Sequence, residues 1–235
     1  MEPVILACTD PSAPSRSTVD WAEREARLRG VPMRTFVGAP PDPGHAKLIV
    51  CGVPHGIDDT GRPLGSLFPA AVRATERPLV LVPDGHASTH RSGTVLLGVD
   101  ARAPSDATIG FAFDSARVCD ALLHVVHAWL LPPCAAEWPF GVPEEERATW
   151  EDQEVQLLAD VLRPWRERYP RVAVLEDVVL FTPAQALLHH AHSATLIVVG
   201  RKSGTEEWGE VVRALLREAA RPLAVVPASR QLLPS

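Results

Sequence analysis

The chain has 235 residues, 46% of them hydrophobic and 22% charged, with a formal net charge of -6. That length allows one large or two small domains with buried cores. The acidic balance and the lack of a basic block exclude a general nucleic-acid surface. No run approaches the ~20 apolar residues of a membrane span, and Glu2 stands where a signal peptide carries basic residues, so a cytoplasmic protein is expected.

In chain order, Val4 to Asp10 (VILACTD) reads as a buried strand ending in aspartate, followed by Pro14-Ser15 and a helix. The same pattern returns 90 residues later as Val95 to Asp100 (VLLGVD) and Pro104-Ser105. Leu48 to Gly52 (LIVCG) is echoed by Leu196 to Gly200 (LIVVG), and Arg77 to Pro83 (RPLVLVP) by Arg221 to Pro227 (RPLAVVP). A repeat of this length is a duplicated domain. The expected division is a shortened unit over 1–83, a polar linker over 84–93, and a complete unit over 94–235.

The first unit is abridged. After Val37 only a short Pro-rich stretch precedes the next strand, so a long helix, a third strand and a short helix have no counterpart. The tail from Gly65 to Pro83 then matches Gly209 to Pro227 at an offset of 144.

The second unit has every element. Thr94 to Val99 is a strand, and Ser105 caps a helix to about Ala121, with Ile109, Ala112, Phe113 and Ala116 inward. Leu122 to Trp129 is a strand, and a Pro-rich loop, 131–143, leads to a helix that opens on Glu144, Glu145 and Glu146. Val155, Leu158, Leu162 and Trp165 form its expected stripe; Pro164 is a candidate kink, and Tyr169-Pro170 ends it. Val172 to Leu180 is the third strand. Thr182 caps a short helix with Pro183 at its first position. Leu196 to Gly200, a helix over Glu210 to Ala220, and Leu223 to Val226 close the unit. Alternating strands and helices predict an open, doubly wound parallel sheet of Rossmann-like type. Its ligands sit beyond the carboxyl ends of the strands, where the winding reverses.

The strand ending in Asp, the Pro-Ser turn, the Gly-rich segment and the last strand, all in duplicate, resemble the universal stress protein family. The resemblance implies a bacterial tandem member of the stress response. Many members bind ATP through a loop of the form Gly-x2-Gly-x9-Gly-Ser/Thr, with the strand-one Asp on the nucleoside. Glycines let backbone N–H groups approach phosphate, and a helix N-terminus adds partial positive charge.

Carried onto this chain, the first-unit candidates are Asp10, Gly52, His55, Gly65 and Ser66, the second glycine being replaced by His55. Histidine tolerates positive φ better than most residues, while Pro54 removes a backbone donor. These residues read either as a site for ATP with magnesium or as an ordinary helix start. The second-unit equivalents are Asp100, Gly200, Ser203, Gly209 and Glu210. There the loop is four residues shorter, and a carboxylate replaces the hydroxyl. A carboxylate ~4 Å from a phosphate charge costs about 4 kcal/mol at an effective dielectric of about 20. No ATP is assigned to the second unit.

Three functions follow: a non-catalytic regulatory binding module with degenerate nucleotide loops, an ATP switch with at most slow hydrolysis in the first unit, or a protein-contact module using Trp138 in the 131–143 loop. No catalytic group is identified. His189, His190 and His192 do not share one helix face, His124 and His127 lie in a strand, and no metal ligand is assigned. Cys8 and Cys51 are expected on adjacent strands, and their redox role stays open. By resemblance, strands 77–83 and 221–227 pair as an internal pseudo-dimer, which would cover an exposed edge. A further homodimer and a protein partner stay open; neither nucleic acid nor membrane is expected as a partner.

Overall fold

Among the described residues, the apolar runs of the sequence become nine strands of one sheet. The structure, a computed structural model, describes residues 3–9, 16–37, 45–53, 76–86, 93–138, 141–201 and 208–228. The first unit contributes β1 (Val4–Thr9), α1 (Arg16–Arg29), β2 (Met33–Val37), β3 (Ala46–Val53) and β4 (Leu79–Pro83). The second contributes β5 (Thr94–Val99), α2 (Asp106–Cys119), β6 (Leu122–Trp129) and a short 3-10 turn (Pro133–Glu137). It continues with α3 (Glu144–Arg168), β7 (Val174–Leu180), α4 (Pro183–Ala191), β8 (Ala194–Arg201), α5 (Glu210–Glu218) and β9 (Leu223–Pro227).

The strand order is β2-β1-β3-β4-β9-β8-β5-β6-β7. Every neighbouring pair is parallel except β4 with β9. Outward from that junction, each half runs through the equivalent of its last, fourth, first and second strands. Only the second half adds a further strand, β7. Among the described residues the first unit has no counterpart of α3, β7 or α4. A register irregularity recurs at equivalent places, between Val4 and Ile5 and between Thr94 and Val95. The duplication thus extends to a local backbone fault.

At the junction, Leu79 faces Val225, Val80 faces Ala224 and Leu81 faces Leu223. Residues 79, 80 and 81 correspond to 223, 224 and 225 at the offset of 144. Val80 therefore faces its own equivalent, and a local two-fold axis passes through that pair. All six side chains are buried. One core layer runs beneath both units, joining Ile5, Trp21 and Val80 with Leu97, Phe113 and Ala224.

The helices cover the two faces of the sheet for identifiable reasons. In α1, Thr18, Trp21, Ala22, Glu25 and Ala26 fall on one face at helical spacing and are buried. In α2, Ile109, Ala112, Phe113 and Ala116 are buried, as their spacing predicts. Ser105 caps this helix, and Asp120 ends it in the left-handed region at φ 49. The Thr182–Gln185 capping box starts α4 with Pro183 at its first turn. Such a cap contributes about 1 kcal/mol.

Some boundaries differ from expectation. The third strand starts at Val174, because Val172 N–H donates to the Tyr169 carbonyl in a turn. The helix expected to reach Ala220 stops at Glu218, and Ala220 takes φ 46. α3 runs past Pro164 to Arg168 and ends at Tyr169, where Tyr169-Pro170 is expected to end it. The stripe of α3 also differs. Leu158 and Leu162 are buried and Trp165 packs on the core, but Val155 is exposed and Glu154 holds the inward place.

An arginine ties the two units together through their helices. Arg29 of α1 is buried, its Nε 2.5 Å from Glu25 Oε1, and its Nη1 pairs with Asp114 of α2. Its Nη2 donates to Ser115 Oγ at 3.0 Å. Burial opposes the charge on Arg29, but Glu25 and Asp114 more than offset it and raise its pKa.

Candidate functional site

In the second unit, β5 lies between β8 and β6, so the winding reverses between β5 and β8. The crevice at their carboxyl ends is the expected ligand position of such a sheet. Asp100 follows β5 and is exposed; its Oδ1 accepts from Arg102 N–H at 3.0 Å, closing a tight turn. Gly200 lies near the end of β8. A Cβ there would stand 3.0 Å from Thr108 Oγ1, so the first turn of α2 packs directly on this backbone. Gly209 caps α5 without a side-chain bond, and Glu210 occupies its first turn.

The fold therefore brings Asp100 and Gly200 to one end of adjacent strands and sets Gly209 and Glu210 at the helix start that follows. In the first unit, Gly52 lies near the end of β3 opposite Val82. Asp10, His55, Gly65, Ser66 and Ser203 lie outside the described residues, as does most of the first-unit loop.

A buried acid–imidazole pair supports the turn carrying Asp100. His127 Nε2 lies 3.0 Å from Glu154 Oε2, and its Nδ1 lies 3.2 Å from the Val99 carbonyl and 3.4 Å from Ala101 N. A carboxylate only accepts, so Nε2 carries a hydrogen. Arg102 also pairs with Glu154. Burial pushes the Glu154 pKa up, but hydrogen bonds from His127 and Arg102, with their charges, outweigh it and hold it below the ordinary value. This network joins the ends of β5 and β6 to α3. It explains why a glutamate, and not Val155, faces inward.

Two further groupings lie away from this crevice. Cys8 and Cys51 are register partners on β1 and β3, both buried and both free thiols. The hydrogen bond with Cys8, then burial, push the Cys51 thiol well above its ordinary value. The expectation that they are neighbours holds.

The second grouping was not foreseen in the sequence. No metal ligand was assigned, because the α4 histidines do not share a face. The fold instead gathers His124 of β6, Asp177 of β7 and His190 of α4, with their ligating atoms all within 4.8 Å of one another. Asp177 was not singled out in the sequence. The available signal was topological: β6 and β7 are consecutive strands, and α4 crosses back over them. Trp138 of the 131–143 loop is exposed, following the 3-10 turn. Among the described residues, no helix is long and apolar enough to cross a membrane.

The universal stress protein family model matches residues 92–227. A universal stress protein of Mycobacterium tuberculosis is 34% identical over 144 residues, 60% of this chain and 47% of that protein. The chain spans about half the length of the curated relatives it matches. Among solved structures, a universal stress protein from Archaeoglobus fulgidus superposes with a TM-score of 0.60 at 14% identity, covering 97% of this chain and 88% of that one. Another from that organism, solved in complex with dAMP, matches at 18% identity and a TM-score of 0.38, covering 59% of this chain and 98% of that one. With the model match covering more than half its length, the chain belongs to the universal stress protein family.

Proposed function

We propose that the protein is a non-catalytic binding and regulatory module of the stress response, built as an internal pseudo-dimer acting in the cytoplasm, with no ATP in its second-unit crevice. The observation that carries this reading is Glu210 in the first turn of α5. A phosphate cradle uses the partial positive charge of a helix start, and a carboxylate there already takes that charge. Thr108 against Gly200 also supports the reading, because α2 leaves little room above the end of β8. The acid–imidazole pair beneath Asp100 is internally satisfied, so it offers no free base for hydrolysis.

A second reading places ATP with magnesium in the first unit. It is favoured by Gly52, near the carboxyl end of β3, and by the full-length loop down to Gly65 and Ser66. Calorimetry with MgATP on wild type, Gly65→Glu and Glu210→Ser separates the two. The main reading, extended to a first-unit loop that is also degenerate, expects no saturable heat in wild type. One site per chain that disappears in Gly65→Glu supports the second reading. A site that survives Gly65→Glu overturns both. Glu210→Ser removes an exposed charge and should raise any anion affinity of the second crevice by no more than about tenfold.

A further inference from the structure

We propose that His124, Asp177 and His190 form a binding site for a divalent transition-metal ion, with zinc the best fit, at the seam between α4 and the β6–β7 edge of the sheet.

The placement follows from strand register. His124 pairs with Leu175 and Val126 with Asp177, so residues 124, 126, 175 and 177 share one sheet face. Val126 packs with Ala186, Leu187 and Ala191 of α4, which identifies that face as the one α4 covers. His190, near the end of α4, reaches the same point. Asp177 Oδ2 lies 3.5 Å from His124 Nε2 and 3.2 Å from His190 Nε2. Zinc bonds to nitrogen and oxygen are about 2.0–2.2 Å long, which makes the edge of a tetrahedron about 3.3 Å. The two measured separations straddle that edge. The three ligating atoms lie within 4.8 Å of one another, so a single ion seated among them needs only side-chain adjustment to draw the two imidazole nitrogens to bonding distance.

The second observation is independent of spacing. The His124 side chain is 9% exposed, and its Nε2 is buried without a hydrogen bond. A buried polar atom without a partner is costly, and in native proteins it calls for an explanation. The atom lies 3.5 Å from the carboxylate, and its ring packs against the second imidazole, so an ion placed among the three would give it a ligand bond. The His124 and His190 rings stand edge to face with centroids 4.6 Å apart, which leaves both Nε2 atoms directed to the carboxylate side.

The donor set then selects the ion. Two imidazoles and one carboxylate suit zinc and its first-row neighbours, and do not suit calcium or magnesium, which take oxygen ligands. Asp177 is 35% exposed and His190 20%, so one side of the site opens to solvent. Three protein ligands with an open fourth position leave room for water or an exogenous donor.

The test uses the full chain, untagged and stripped with a chelator, titrated with zinc chloride by calorimetry and with cobalt(II) by visible absorption. We expect one ion per chain, and a cobalt ligand-field band typical of four or five ligands. His190→Gln and Asp177→Asn should each weaken binding by at least about tenfold, because losing a ligand costs at least as much as losing an outer-shell partner. The double variant His189→Gln/His192→Gln removes two neighbouring imidazoles outside the cluster and should leave affinity unchanged. Circular dichroism checks that each variant is folded. Should either ligand variant fail that check, imidazole NMR of the wild type decides. Zinc should shift the rings of His124 and His190, and leave those of His189 and His192 in place. Absence of one-to-one binding, affinity indifferent to both ligand variants, or shifts confined to His189 and His192 would each overturn the proposal.

Discussion

Arg29→Ala should lower the unfolding free energy by about 3–5 kcal/mol, read from urea denaturation of the full chain at neutral pH. The side chains of Arg29 and Glu25 are each 3% exposed, and Asp114 and Ser115 of the other unit complete the arginine's environment. Removing the guanidinium leaves the Glu25 carboxylate buried without its cation, and that uncompensated charge is the main cost. A surface pair would be worth under about 1 kcal/mol, so the magnitude distinguishes a buried tie from a solvated one. The double variant Arg29→Met/Glu25→Leu should recover most of the loss, since an apolar replacement of a buried pair is often neutral. A loss below about 1 kcal/mol for Arg29→Ala would contradict this account of how the units are joined.

Glu154→Ala should cost about 3 kcal/mol or more, for a related reason. It strips the carboxylate from His127 Nε2, which is buried and has no other acceptor in this network. The effect also carries a pH signature. The folded-state pKa of Glu154 is depressed, since His127 and Arg102 outweigh the cost of burial. Its contribution is therefore complete above its unfolded-state pKa and is lost as pH falls through the lower folded value. The stability difference between wild type and Glu154→Gln should be full at neutral pH and shrink below about pH 4. A difference that grows on acidification would reverse the assignment, because it would mean that the neutral acid is the stabilised form.

The sheet was legible in the sequence where local signals agree with the fold. Apolar runs marked β5 and β8, a run interrupted by two histidines marked β6, and Ser105 and Thr182 marked the starts of α2 and α4. Because the runs recur in duplicate, Cys8 and Cys51 could be set on adjacent strands before any coordinates. The α3 stripe was misread at one turn, because hydrophobicity favours Val155 over Glu154. What turns Glu154 inward is His127 on the sheet, 27 residues away in sequence, and no local periodicity carries that information. Arg29 was missed for the same reason: a charged residue in the last turn of α1 looks like a solvated end until α2 packs beside it. His124, Asp177 and His190 come from three elements, and only strand register brings them together. Of the first-unit phosphate candidates, only Gly52 falls within the described residues.

The most direct measurement is a titration of the isotopically labelled full chain with MgATP, followed by backbone amide NMR. The account predicts that the amides of Asp100, Gly200, Gly209 and Glu210 do not move at millimolar nucleotide, whatever happens around Gly52 and Gly65. Saturable shifts of those second-unit amides would contradict it, and would make the crevice between β5 and β8 a working nucleotide site despite Glu210.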